Sequence, residues 1–215
     1  MKQSMHGEIE QYIEQMIPKR TELFQQMEKL ALQQQVPIME PTGIEALLQI
    51  LRIQKPASIL EVGAAIGYSA LRMADALPNA TIVTIERDEE RYSQAESFFE
   101  QAGKQDQIYL IKGDALEVEA EVKRFAPFDA IFIDAAKGQY RRFFEMYSSY
   151  LSKDGIMITD NVLFKGLVCD PHIENRRIRS LVRKIHEFNE WLMGHSQYDT
   201  VIIPVGDGVA ISKKR

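Results

Sequence analysis

From Ala57 onward the chain alternates short apolar runs with amphipathic stretches, and this alternation constrains the fold more than any other feature. ASILEV, TIVTIE, QIYLIK, FDAIFID and GIMITD read as strands starting at Ala57, Thr81, Gln107, Phe128 and Gly155, and helical patterns begin at Tyr68, Asp88, Leu116 and Gln139. Strands that are apolar on both faces are buried on both faces, so these βα units predict a parallel sheet joined by right-handed crossovers. A loop over 161–171 is followed by a long helix spanning roughly 173–193. YDTVIIPV and GVAISKK then flank Gly206-Asp207-Gly208, a tight turn that predicts an antiparallel hairpin closing one sheet edge. The expected fold is α/β: a Rossmann-like, seven-stranded, mostly parallel sheet with a C-terminal antiparallel hairpin, not the six-stranded all-parallel dinucleotide fold.

Three helices are expected ahead of the first strand. Ile9, Ile13, Met16 and Ile17 fall at helical spacing before Pro18, and Leu23, Met27, Leu30 and Ala31 begin a second amphipathic stretch. Glu40-Pro41-Thr42-Gly43 reads as a turn, with Thr42 as N-cap and Glu45 completing a capping box for a helix over 43–53. At 215 residues one domain, 1–215, is the expectation, with its extra helices within 1–35.

Composition excludes several classes. Apolar residues make up 45% and charged residues 27%, without the roughly 18-residue apolar run of a membrane span. The N-terminus carries neither a secretory apolar core nor an Arg-rich leader, so a soluble cytoplasmic protein is expected. A single cysteine, Cys169, leaves no internal disulfide framework and no Cys-rich zinc site. The net charge of −5 argues against a protein that coats nucleic acid non-specifically.

Ligands of open α/β sheets bind beyond the carboxyl ends of the strands, so those positions carry the functional reading. The first strand runs into Glu61-Val62-Gly63-Ala64-Ala65-Ile66-Gly67-Tyr68-Ser69, where small residues let the backbone approach a ligand. The second ends in Glu86, suited to accept from both hydroxyls of a ribose, and the third in Gly113-Asp114, suited to accept from an adenine amino group. The turn departs from G-x-G-x-x-G, which lowers a nicotinamide-dinucleotide reading. S-adenosylmethionine (SAM) has no phosphate and carries a sulfonium, and Glu61, Glu86, Asp114 and Asp134 supply the carboxylates such a cofactor favours.

The fourth strand ends in Asp134-Ala135-Ala136-Lys137 and the fifth in Asp160-Asn161. Adjacent strand ends bring Asp134, Asp160 and Asn161 toward one point, and two carboxylates with an amide oxygen suit Mg²⁺, Ca²⁺ or Mn²⁺. Lys137 would stand beside both a metal and a sulfonium, two positive neighbours that favour its neutral, basic form.

With these segments in this order, the chain resembles the cation-dependent O-methyltransferases, the family of catechol and caffeoyl-CoA O-methyltransferases and their bacterial relatives. The resemblance covers nearly the whole chain and rests on E-V-G-A-A-I-G-Y-S, Glu86, D-A-A-K and I-T-D-N. It implies a class I SAM-dependent methyltransferase fold in which Asp134, Asp160 and Asn161 hold Mg²⁺ (or Mn²⁺) and Lys137 is the base. It further implies that Met39, Gly63, Ser69, Glu86 and Asp114 line the SAM site, that Asp134 faces both metal and cofactor, and that the protein is a homodimer with residues 1–35 at the two-fold contact.

Within the family the string is most similar to the bacterial branch that methylates tRNA 5-hydroxyuridine at the wobble position (U34), giving 5-methoxyuridine. A tRNA partner predicts a basic mouth, for which Arg141-Arg142, Arg176, Arg177, Arg179, Arg183 with Lys184, and Lys213-Lys214-Arg215 are available. Tyr140, Phe164 and His172 are candidates to stack on an extruded base, although aromatic side chains fit a small catechol or phenylpropanoid acceptor equally. The loop 161–171, with Phe164 and Gly166, reads as a lid. A nicotinamide-dinucleotide-binding protein or a non-catalytic SAM-binding module is the alternative of another class, and the Asp134/Asp160/Asn161 set with Lys137 argues against both.

Overall fold

A computed structural model of the protein describes residues 5–215. The first four residues of the predicted 1–35 contact segment lie outside the described residues. Three helices lead: α1 (Met5–Met16), α2 (Glu22–Gln34) and α3 (Pro41–Gln54). Next come β1 (Ser58–Val62), α4 (Tyr68–Ala76), β2 (Thr81–Glu86), α5 (Glu89–Gln101), β3 (Ile108–Lys112) and α6 (Glu119–Val122). The chain continues through β4 (Phe128–Ile133), α7 (Tyr140–Tyr147), β5 (Leu151–Thr159), α8 (Arg176–Met193), β6 (Tyr198–Ile203) and β7 (Val209–Lys214).

One seven-stranded sheet runs β3-β2-β1-β4-β5-β7-β6. The first five strands pair in parallel, and β7 is antiparallel to both β5 and β6. Strand order reverses at β1 and β4, so the switch-point crevice lies between their carboxyl ends. The hairpin enters the sheet by its second strand: Val209, Ala210 and Ser212 are buried on β7, whereas Val201 and Ile203 stay exposed on β6.

Strand alternation divides the core into two layers. Ile59, Ala130 and Phe132 face the layer filled by Phe24, Met27, Leu47 and Leu51 of the leading helices. Leu60, Val62, Ile131 and Ile133 face the other, filled by Phe144, Tyr147, Phe188 and Leu192. Among the described residues no helix is long and apolar enough to cross a membrane.

Three local expectations are corrected. Helix α3 starts at Pro41, with Glu40 at its N-cap, because proline needs no N–H partner in the first turn. Thr42 therefore lies inside the helix and donates to Glu10 Oε1 at 3.1 Å, while Glu45 pairs with Arg72 instead of closing a capping box. The helix expected from Leu116 shrinks to Glu119–Val122 plus a 3₁₀ turn at Lys123–Phe125, since the residue ahead of Pro127 disfavours helical backbone. Strand β5 begins at Leu151, ahead of the expected Gly155.

Candidate active site

Beyond β1 the chain turns through Gly63 and Gly67 into α4. Gly63 has φ +104°, and a Cβ there would fall 2.2 Å from the Asp134 carbonyl oxygen, so the ends of β1 and β4 touch through backbone alone. Glu86, at the end of β2, is fixed by two backbone donors: Ala65 N–H to Oε2 at 2.7 Å and Asp88 N–H to Oε1 at 2.8 Å. Each oxygen keeps a lone pair for a ligand hydroxyl. Asp114 accepts from Leu116 N–H at 2.9 Å and pairs with exposed Arg87 at 3.3 Å, which settles its orientation at the end of β3.

These groups open onto a cavity of about 280 Å³ at the switch point. Of the candidate cofactor residues, Met39, Gly63, Ser69, Glu86, Gly113, Asp114 and Asp134 line it, whereas Glu61 does not. Glu61 is fully buried and accepts hydrogen bonds from the hydroxyls of Ser69 and Thr84. Burial pushes its pKa up to about 7; the Ser69 and Thr84 hydrogen bonds oppose that rise, and Asp134 and Glu86 add to it. It therefore acts on the cavity through Ser69.

At the reactive end, Asp134 follows β4 and Asp160-Asn161 follows β5. Asp160 N–H donates to Ile133 O at 3.0 Å and Asp134 N–H to Val62 O at 3.0 Å, so the parallel ladder itself carries both carboxyls to one level. Asn161 Nδ2 donates to Asp160 Oδ2 at 2.9 Å, and Lys137 Nζ donates to Asn161 Oδ1. Asp134 is half-buried and lines the cavity, and Asp160 is buried. Burial raises both carboxyl pKa values; Lys137 opposes the rise at Asp134, and the neighbouring Asp134 charge adds to the rise at Asp160. A pair of crowded carboxyls beside an amide oxygen fits a hard divalent cation, which would relieve their mutual repulsion. Among the described residues no group of three His, Cys, Asp or Glu side chains is placed to hold a metal, so the candidate set depends on Asn161 as its third member.

A second cavity, of about 290 Å³, adjoins the first. Asp134, Lys137, Asn161 and Met39 line both, whereas Asp160, Phe164, Lys165 and Asp207 line only the second. Residues 164–169, within the loop read from sequence as a lid, form a distorted 3₁₀ segment with Lys165 at φ 54° and Gly166 at φ 75°. Phe164 places its ring 5.8 Å from Lys137 Nζ. Asp207, in the β6–β7 turn, accepts from Lys165 N–H through its side chain and from Leu163 N–H through its carbonyl. Sequence reasoning read this turn only as a turn and missed both Asp207 and the lining residues Pro37 and Ile38. Glycines on both sides were the available signal.

Tyr140 corrects one expectation. It is 1% exposed, packs 5.4 Å from Phe188 and donates its hydroxyl to the Asp160 carbonyl at 2.9 Å, so it cannot stack on an acceptor. Together with Asn189, whose Nδ2 donates to Val162 O at 2.8 Å, it holds the segment in which Asn161 takes a left-handed φ of 58°. Phe164 lines the second cavity and His172 is exposed.

The six arginines proposed for RNA are all exposed. Arg141 is engaged by Glu145 at 2.8 Å and lies over Trp191, and Arg183 pairs with Glu187 at 3.6 Å. Arg142 donates to Gln139 and Arg179 to the Ile173 carbonyl. Helix α8 packs against the segments 137–139 and 164–169, with the Lys184 side chain lying against Gly138.

Residues 14–215 match the family model described as O-methyltransferase. The chain belongs to the O-methyltransferase family. A catechol O-methyltransferase of Niastella koreensis is 32% identical over 77% of this chain and 77% of its own length. A caffeoyl-CoA O-methyltransferase of Populus kitakamiensis is 30% identical over 83% of this chain and 77% of its own. The crystal structure of a Bacillus cereus O-methyltransferase in complex with SAH superposes with a TM-score of 0.83 at 25% identity, covering 97% of each chain. This O-methyltransferase is SAM-dependent, with the class I fold and the C-terminal antiparallel pair expected from its sequence.

Proposed function

We propose that this O-methyltransferase transfers the SAM methyl group to a hydroxyl of a small aromatic acceptor carrying two vicinal oxygens, of the catechol or phenylpropanoid type. The observation that carries the reading is the meeting of two cavities at Asp134, Lys137 and Asn161. The first is assigned to SAM, with Glu86 on the ribose and Ser69, held by Glu61, on the methionine side. The second is assigned to the acceptor, enclosed by Phe164 and the Asp207-braced lid. Asp134, Asp160 and Asn161 would hold a divalent cation, which when bound supplies Lewis-acid acidification of the acceptor hydroxyl and a clamp for its neighbouring oxygen. Lys137 accepts the hydroxyl proton at Nζ, the oxygen forms its bond to the methyl carbon, and the carbon–sulfur bond breaks with its electron pair staying on sulfur, giving SAH. Holding the reactants in line and excluding water supply much of the acceleration.

A second reading, methylation of 5-hydroxyuridine in tRNA, is favoured by one observation: α8, which carries the exposed Arg176, Arg177 and Lys184, packs against the segments 137–139 and 164–169 that border the second cavity, a setting suited to phosphates. Its C5 hydroxyl and C4 carbonyl are vicinal oxygens as well. Transfer from labelled SAM, with Mg²⁺ or with EDTA, to a simple catechol and to tRNA carrying 5-hydroxyuridine tests both. Mg²⁺-dependent labelling of catechol alone supports the first reading. Predominant labelling of tRNA, lost on reversal of Arg176 and Arg177 to Glu, replaces it with the second.

A further inference from the structure

Pro37, Ile38 and Met39 connect α2 to α3 and line both cavities. What anchors the two flanking helices therefore decides how firmly this connection is held. Both anchors run to α4, the helix that carries Ser69. On the α2 side, the Tyr68 hydroxyl donates to Glu28 Oε1 at 2.6 Å, and Arg20 Nη2 donates to Glu28 Oε2 at 3.0 Å. On the α3 side, Arg72 Nη2 donates to Glu45 Oε1 at 2.5 Å. Arg72 Nη1 joins the two halves by donating to the Tyr68 hydroxyl at 2.8 Å.

Arg72 is 7% exposed and lies 5.2 Å from the Phe24 ring and 5.6 Å from the Tyr68 ring. A guanidinium so far out of water needs its partners, and here they come from different helices. Burial, followed by the hydrogen bond to Glu28, pushes the Tyr68 pKa up to about 12, so this hydroxyl remains a donor across the working pH range. Glu28, Glu45 and Arg72 do not line the SAM cavity, whereas Tyr68 does.

We propose that Arg72, Glu28 and Glu45 are positioning residues: through Tyr68 and the two helices they hold the 36–40 connection against the site, so that cofactor affinity depends on carboxylates that do not touch the cofactor. The inference rests on the assignment of the first cavity to SAM. Because the same connection lines the acceptor cavity, loosening it raises KM for both substrates more than it lowers kcat, which is set by Lys137 and its neighbours.

The test uses full-length E28Q and E45Q, isosteric changes that remove the charge. Calorimetric titration with SAH is expected to show about tenfold weaker binding in each, the scale of a lost charge-assisted hydrogen bond. Amide hydrogen exchange at residues 36 and 38–40 is expected to accelerate while that of β1 is unchanged. D129N controls for stability alone: Asp129 accepts from Ala57 N–H and Ser58 N–H at the other end of the sheet. Unchanged SAH affinity in E28Q and E45Q, with the wild type binding normally, overturns the proposal. So does an equal loss in D129N. A wild type that does not bind SAH overturns the cofactor-cavity assignment and the proposal with it.

Discussion

Lys137 Nζ donates a hydrogen bond to the side-chain oxygen of Asn161, so the candidate base and a candidate metal ligand are in direct contact. A cation drawing on that same oxygen would compete with the lysine and release its nitrogen toward the second cavity, which Lys137 lines. Lys137→Met keeps the aliphatic stem and removes the amine. It is expected to lower kcat by about 10²–10⁴-fold, the usual worth of a positioned acid or base. SAH affinity should change far less. An unchanged rate at saturating substrate across pH would remove Lys137 from the chemistry.

Asp160 lines the second cavity and not the first. Asp160→Ala is therefore expected to abolish Mg²⁺-dependent turnover while SAH still binds in calorimetry. Turnover of this variant at the wild-type rate in chelator-treated buffer would refute the metal assignment.

Gly63 has no room for a side chain. Gly63→Ala would drive a methyl group into the Asp134 carbonyl at 2.2 Å while holding φ at +104°, so the ends of β1 and β4 must separate. A loss of roughly 1–3 kcal/mol in denaturant unfolding is expected, with weaker SAH binding. Wild-type stability together with wild-type affinity would show that the two strand ends need not touch.

Glu61 gives the fold a pH dependence with a definite sign. Its folded pKa of about 7 lies above the ordinary carboxyl value of 4.5, so between those values the native state binds more protons than the unfolded chain. Its contribution is fully present below the unfolded pKa and is lost as pH rises through the folded one, with a slope on the order of 1.4 kcal/mol per pH unit inside the window. Glu61→Gln should therefore gain stability relative to the wild type as pH rises across that window. Parallel stability curves for the two proteins would disprove the shift.

Removing the Tyr140 hydroxyl probes the segment that carries two of the candidate metal ligands. Tyr140→Phe leaves the buried Asp160 carbonyl without this donor and is expected to cost about 1–3 kcal/mol. The concentration of Mg²⁺ needed for half-maximal activity should rise as well. A stability loss with an unchanged Mg²⁺ requirement would make the hydroxyl structural only.

The layered α/β architecture was legible in the amino-acid order, because period-two and helical hydrophobic patterns are local and name the buried face of each element. Also legible was which strand ends bear Glu86, Asp114, Asp134 and Asp160, since a parallel sheet sends every strand's carboxyl end to one side. What those ends meet depends on three-dimensional packing. Glu61 and Glu86 both terminate or nearly terminate strands, yet one is sealed beneath Ser69 and the other opens on the cavity. Tyr140 and Phe164 read alike as aromatic residues near a site, yet one braces the Asp160 carbonyl and the other reaches Lys137. Asp207 belongs to a turn far from the strand-end motifs in sequence, and it reaches the second cavity only through the order in which the strands pack. Burial and long-range hydrogen bonds depend on that packing, and no local pattern encodes it.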